Sequence, residues 1–267
     1  MLANFHTHTV FCDGDNTAEE MVLSAIDKGF SALGFSGHGY TDFDLSYCIK
    51  DTPGYIAEIN RLKEKYKKDI EIYLGLEEDA YYPCDRSRFD YILGSCHYAK
   101  VQGKHYAIDS GAEYFKTCLE LFGGDPIALA ENYYGYFVDY ILARKPDIVG
   151  HFDLITKFDE LGESMFLKNP EYNALAEKYI EKAARSGCIF EVNTGAISRG
   201  VRTSPYPAVN LLQVLKRENA PIILSADTHN KDTIDCAFEE TRHMLYELGF
   251  RHICSLKGGE WKQFPIL

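Results

Sequence analysis

Imidazoles and carboxylates recur along this 267-residue chain wherever an apolar run gives out: NFHTH (His6, His8), FSGH (His38), LGLE (Glu77), GSCH (His97), VGHFD (His151) and SADTH (Asp227, His229). Aiming so many ligand-type side chains at one place is hard to explain without a cation. Six of the nine histidines fall in these segments, whereas His105, His243 and His252 stand in contexts where an ordinary satisfied histidine is expected. Neutral imidazole with carboxylate suits Zn, Fe or Mn, and with no cysteine among the donors the choice stays open. Asp13, in the FCDGD turn, is either a further oxygen ligand or plain turn chemistry. Asp153 is placed either to orient a ligand imidazole or to protonate a leaving group. Arg199 and Arg202, in NTGAISRGVR, follow a strand end and could fork onto a phosphate.

The elements that must position these residues alternate regularly. Strand-like runs (LANFH, SALGFSGH, IEIYLGLE, YILGSCH, DIVGHFD, CIFEVN, PIILSADTH, HICSLKG) are separated by helical patterns such as TAEEMVLSAIDKG and EYNALAEKYIEKAARSG, both with Gly just past the helix. Such alternation predicts a parallel sheet with helical crossovers, and seven or eight units suggest closure into a barrel. Period-two alternation sorts the strand residues. Ile70, Ile72, Leu74 and Leu76 share one face and Tyr73, Gly75 and Glu77 the other, so Glu77 joins the inner set and Glu78 does not. By the same rule Ser225, Asp227 and His229 share a face, as do His151 and Asp153. The i, i+2 spacing of His6/His8 and Asp227/His229 follows from it.

Length and a 46% hydrophobic content suit one α/β barrel domain over residues 1–267. Residues 98–146 exceed a simple βα loop plus helix and are rich in tyrosine (Tyr106, Tyr114, Tyr133, Tyr134, Tyr136, Tyr140). A partly helical cap over the ligand face is expected there, its tyrosines serving as substrate walls or, in the favoured reading, as buried helix faces. The net charge of −12 argues against a nucleic-acid polymer as partner, although bound cations would still admit a small phosphate. No run resembles a signal peptide or a membrane span, so a cytoplasmic protein is expected, its oligomeric state left open. The eight cysteines are scattered singly and read as reduced and structural, Cys12 and Cys96 included despite their adjacency to Asp13 and His97.

HTHT, a lone strand-end His, GxE, a second strand-end His, GHxD and DxH, in that order, resemble the polymerase and histidinol phosphatase (PHP) family over essentially the whole chain. The resemblance implies a distorted seven-stranded, TIM-like (β/α)7 barrel with a cluster of three divalent ions (Zn, Mn or Fe) at the C-terminal ends of the strands. By motif, His6, His8, Glu77 and Asp227 would hold one ion, with Glu77 bridging to a second held by His97 and His151. His38, His229 and Asp13 would hold the third, Asp13 standing where many members have His. Chain length, the tyrosine-rich insertion and the lack of a polymerase domain make a stand-alone histidinol-phosphate phosphatase of histidine biosynthesis the implied activity.

The chemistry is consistent. Uncatalysed phosphate monoester hydrolysis is extremely slow, and cations both generate hydroxide near neutral pH and neutralise phosphoryl oxygens. The expected mechanism is in-line attack by a metal-bridging hydroxide, with no Ser or Cys in a recognisable nucleophile motif. Asp153 or His229 is the expected catalytic proton donor, and Arg199 and Arg202 the phosphate contacts. The rival readings are a phosphodiesterase or phosphatase acting on small nucleotides, a metal-dependent amidohydrolase-like enzyme, and a non-catalytic metal-binding barrel.

Overall fold

A computed structural model describes residues 1–162 and 164–267. In chain order the strands are β1 (Ala3–Asn4), β2 (Ala32–Phe35), β3 (Glu71–Asp79), β4 (Tyr91–Ser95), β5 (Tyr98–Val101), β6 (Lys104–Ala107), β7 (Ile148–Val149), β8 (Ile189–Asn193), β9 (Ile222–Ser225), β10 (His252–Lys257) and β11 (Glu260–Pro265). The helices are α1 (Ala18–Asp27), α2 (Thr52–Tyr66), α3 (Ala112–Leu121), α4 (Pro126–Arg144), α5 (Pro170–Ala184), α6 (Gly195–Ser198), α7 (Val209–Arg217) and α8 (Phe238–Glu247). Helix starts follow their local chemistry. Thr17 and Glu20 form a capping box on α1, and Asn169 and Asp125 cap helices that begin with Pro170 and Pro126. Gly29 and Gly187, past α1 and α5, take the left-handed conformation the stop signals require.

Seven strands pair in parallel in the order β1-β2-β3-β4-β7-β8-β9. Closure comes beyond the regular strands. Thr7 bridges Thr228, with the His8 amide donating to the Thr228 carbonyl at 2.9 Å and the Thr228 amide to the His6 carbonyl at 3.1 Å. The Asn4 side chain reinforces the seam by accepting from the Ala226 amide. The result is the distorted seven-stranded barrel, with helices outside. HICSLKG is not an eighth barrel strand: β10 pairs antiparallel with β11, and this hairpin reaches the N-terminal end of the barrel, where the Gly258 amide donates to Glu71 at the start of β3.

Alternation holds along β3. Ile70, Ile72, Leu74 and Leu76 pack in the large outer core beneath the helices, while Tyr73 joins Phe5, Tyr91, Leu93 and Ile148 inside the barrel. The inner ring of Tyr91 needs close neighbours without side chains: a Cβ at Gly75 would lie 2.3 Å from that ring and one at Gly34 2.5 Å from its hydroxyl.

The insertion divides in two. β5 and β6 form a hairpin directly after His97, followed by a turn through Asp109 and Ser110. α4 is the crossover helix toward β7 and packs on α5, its Tyr134 hydroxyl 2.6 Å from that of Tyr172. Tyr133, Tyr134 and Tyr140 are therefore buried helix faces. Among the described residues no helix is long and apolar enough to cross a membrane.

Candidate metal centre

Glu77 is the hub. Its carboxylate lies 3.2 Å from His6, 3.5 Å from His8, 2.9 Å from His38, 3.3 Å from His97 and 3.2 Å from His151, all measured to ring nitrogens. Asp227 adds an oxygen 3.3 Å from His8 and 3.5 Å from His6. Among the described residues, four donor groups converge tightly enough to hold an ion: His6/His8/Asp227, His6/Glu77/His151, His38/Glu77/His97 and His8/Asp13/His38/His229. The first three are buried. Asp13 belongs to the fourth group, its carboxylate lying 3.3 Å from His229, 3.5 Å from His8 and 3.6 Å from His38.

The donors fit a cation on their own evidence. His6 Nε2, His8 Nε2 and Glu77 Oε2 are buried and point at one another without a hydrogen-bonded protein partner. Lone pairs buried that way are costly unless something positive lies between them. Electrostatics agree. Burial alone would lower His6, yet Glu191, Glu77 and Asp227 raise it well above its ordinary value, and Glu77 and Asp13 do the same for His38. Burial likewise opposes His97, which Glu77 and Asp79 push up to about 10. His8 is lowered to about 3 by burial and by His229 and His38. Despite burial, Glu77 is held well below the carboxylate range by His6, His38 and His97. The cluster is a proton store that a cation can displace.

Outer carboxylates aim the imidazoles, as ligand histidines require. His6 Nδ1 lies 2.6 Å from Glu191, which also accepts from the His151 amide at 2.8 Å. His97 Nδ1 lies 3.2 Å from Asp79. Sequence reasoning passed over both, although each leaves a signal: Glu191 is a charge inside the apolar run CIFEVN, and Asp79 stands two residues after Glu77 on the same face. Glu78 faces the other way and is held by Arg144 at 2.8 Å and Tyr140 at 2.7 Å.

The ligands lie past the strands. β1 ends at Asn4 and β9 at Ser225, and Asp227 takes a left-handed φ of 46°. The i, i+2 pairs thus flank the single bridging residues Thr7 and Thr228 instead of continuing strands, and the turn at Asp227 aims its carboxylate inward.

A cavity of about 320 Å³ opens over the centre. Arg199 lines it, donating to the Asp227 carboxylate at 2.9 Å and to the Asp227 carbonyl at 3.1 Å. A Cβ at Gly195 would sit 2.8 Å from that guanidinium, so glycine keeps its place open. Arg202 and Asp153 are not on the cavity wall. β7 stops at Val149 and the chain turns at once, the Leu154 amide donating to the His151 carbonyl, so alternation does not carry through to Asp153. Its carboxylate is buried, accepts from the Ala208 amide at 3.0 Å and lies 3.8 Å from Arg202. Arg202 donates to Thr156 at 2.6 Å and lies over the Tyr206 ring. Both thus stand behind the cavity lining, and one Asp153 carboxylate oxygen, Oδ1, is buried without a hydrogen-bond partner. His229, at the rim, has Nε2 3.3 Å from Asp13 and Nδ1 3.2 Å from the Asp227 carbonyl. The six insertion tyrosines named from sequence do not line the cavity either; Tyr47 and Tyr98 do, with Ser46, Asp109, Ser110 and Lys157.

The PHP domain model matches residues 4–195. The chain belongs to the PHP domain family. Among curated relatives, the histidinol-phosphatase of Bacillus subtilis is 25% identical over 260 residues, spanning 88% of this chain and 96% of its own length. That of Lactococcus lactis is 25% identical over 274 residues, spanning 96% and 94%. A crystal structure of the Lactococcus lactis histidinol phosphate phosphatase, complexed with Zn, L-histidinol and phosphate, superposes on this PHP chain with a TM-score of 0.75 at 20% identity, covering 98% of each. That likeness establishes the shared barrel.

Proposed function

We propose that this PHP protein is a metal-dependent phosphomonoesterase whose substrate is L-histidinol phosphate. The observation that carries the reading is the convergence of His6, His8, His38, His97, His151, His229, Asp13, Glu77 and Asp227 beneath a cavity that also holds Arg199. The near-full-length curated relatives are histidinol-phosphatases, and a relative of the same fold has been seen with zinc, histidinol and phosphate.

Three divalent ions, zinc, manganese or iron, suit the donors: His6, His8 and Asp227 for one, Glu77 shared with His97 and His151 for the next, and Asp13, His38 and His229 for the third. Such ions, when bound, supply an acidified water and positive charge for phosphoryl oxygens. The chain's own residues do the rest. Glu191 and Asp79 hold His6 and His97 in one tautomer with the lone pair inward. Arg199 fixes the Asp227 carboxylate and offers its guanidinium to the cavity, where a phosphate oxygen can accept from it. A cavity of about 320 Å³ is at the small end for ligand sites and suits a small metabolite.

The test is phosphate release by protein loaded with zinc, manganese or iron, against a panel holding histidinol phosphate, a small nucleotide monoester, a phosphodiester and an amide. The reading expects chelator-sensitive release, fastest from histidinol phosphate. Activity that survives complete metal removal, or that is confined to the amide, would overturn it.

A further inference from the structure

One cavity wall remains unused by this scheme. Asp109 lines the cavity but belongs to none of the four converging donor groups, unlike Asp13 and Asp227. Its cationic neighbour, Lys157, makes its shorter bond to the Asp109 carbonyl at 2.8 Å and only a 3.4 Å contact to carboxylate Oδ2. The other carboxylate oxygen makes no hydrogen bond to described protein atoms. Burial would raise this carboxyl, yet the Lys157 ammonium beside it favours the charged form. Two aromatic side chains, Tyr47 and Tyr98, line the same cavity. Tyr47 packs edge-on to His38 at 4.6 Å and lies 6.3 Å from Tyr98, and its hydroxyl is buried with no protein partner. The cavity thus holds, besides Arg199 and the metal donors, a carboxylate with an uncommitted oxygen and two tyrosine rings.

A carboxylate with a free oxygen, in a cavity that also holds aromatic rings, recognises an organic cation, through a charge-assisted hydrogen bond and through attraction to the rings. We propose that Asp109 binds the ammonium group of the substrate and makes the site selective for amine-bearing phosphate monoesters. The inference rests on the phosphatase reading and adds the residue that decides which monoester is taken. It also gives the hairpin its role, since β5, β6 and the turn after them deliver Tyr98 and Asp109 to the cavity.

The experiment compares kcat/KM of the metal-loaded protein and of Asp109→Asn for histidinol phosphate and for the same ester lacking the amine. The wild type should favour the amine-bearing ester by roughly 10- to 100-fold, the range expected for one hydrogen bond to a charged group. Asp109→Asn should erase that preference by raising KM for the amine-bearing ester alone, and Asp109→Glu should restore part of it. Metal content and melting temperature, which should not change, control for misfolding. Equal losses on both esters would make Asp109 a positioning residue for Lys157 and overturn the proposal, as would an unchanged preference in Asp109→Asn. Release from both esters without preference in the wild type would remove the subsite and leave the phosphatase reading standing. Release from neither would remove both.

Discussion

The two ends of the barrel are built from the same strands with opposite chemistry. At the N-terminal end Phe5 packs against Tyr73, Tyr91 and Trp261 with ring centroids 5.6–5.8 Å apart, and the β10–β11 hairpin covers them. At the C-terminal end the barrel interior gives way to nine imidazole and carboxylate ligand candidates with lone pairs facing inward. Along β3 the inner face changes from Tyr73 through Gly75 to Glu77 within five residues. The apolar end gains stability from burial, whereas the polar end, without cations, holds charges and lone pairs that stabilise only when paired. One end therefore supports the fold and the other spends some of that support on a site.

Substitutions at the two ends should separate these roles. The largest effect is expected from Glu77→Gln, which removes the carboxylate shared by five imidazoles. Metal content should fall by at least one ion per chain, and kcat/KM for phosphate release by about 10³-fold, the order of several kcal/mol of transition-state charge stabilisation. Trp261→Ala, at the other end, where the ring is half-buried, should lower unfolding free energy by about 1–2 kcal/mol in denaturant melts while leaving metal content and kcat per folded molecule unchanged. A change in metal content there would show that the ends are not independent. Glu191→Gln touches no ion directly and should weaken metal binding by about 10- to 100-fold in chelator competition, through loss of the His6 orientation.

The smallest effect is a pH trend confined to the ligand end. His97 in the metal-free protein sits at about 10 against an ordinary 6.5. Its stabilisation is complete below pH 6.5 and disappears as pH rises through 10. Metal-free protein should therefore melt at progressively lower temperature from pH 7 to 10. Metal-loaded protein should show the reverse slope between pH 6 and 8, because binding requires neutral imidazoles and releases protons. Parallel slopes in the two forms would contradict the assignment of His97.

Much of this was legible in the sequence, because ligand types at strand ends and period-two alternation are local. Alternation separated Glu77 from Glu78 correctly while β3 stayed regular. It failed at Asp153, where a two-residue strand gives way to a turn, since sequence periodicity does not report where a strand stops. Arg202 stands off the cavity lining for a related reason: its pairing with Asp153 and Thr156 is a long-range contact. The eighth strand-like run has the residues of a barrel strand, and only its partner, β11, shows it to be a plug. Glu191 and Asp79 acquire meaning from the imidazoles they touch across the sheet.

The central claim is a cluster for three ions completed by Asp13. Its most direct test is elemental analysis of wild type and Asp13→Asn after dialysis against limiting zinc or manganese, with ions counted per chain. Three ions in the wild type and two in the variant are expected. Wild-type protein that retains none or one, or a variant that retains all three, would contradict it.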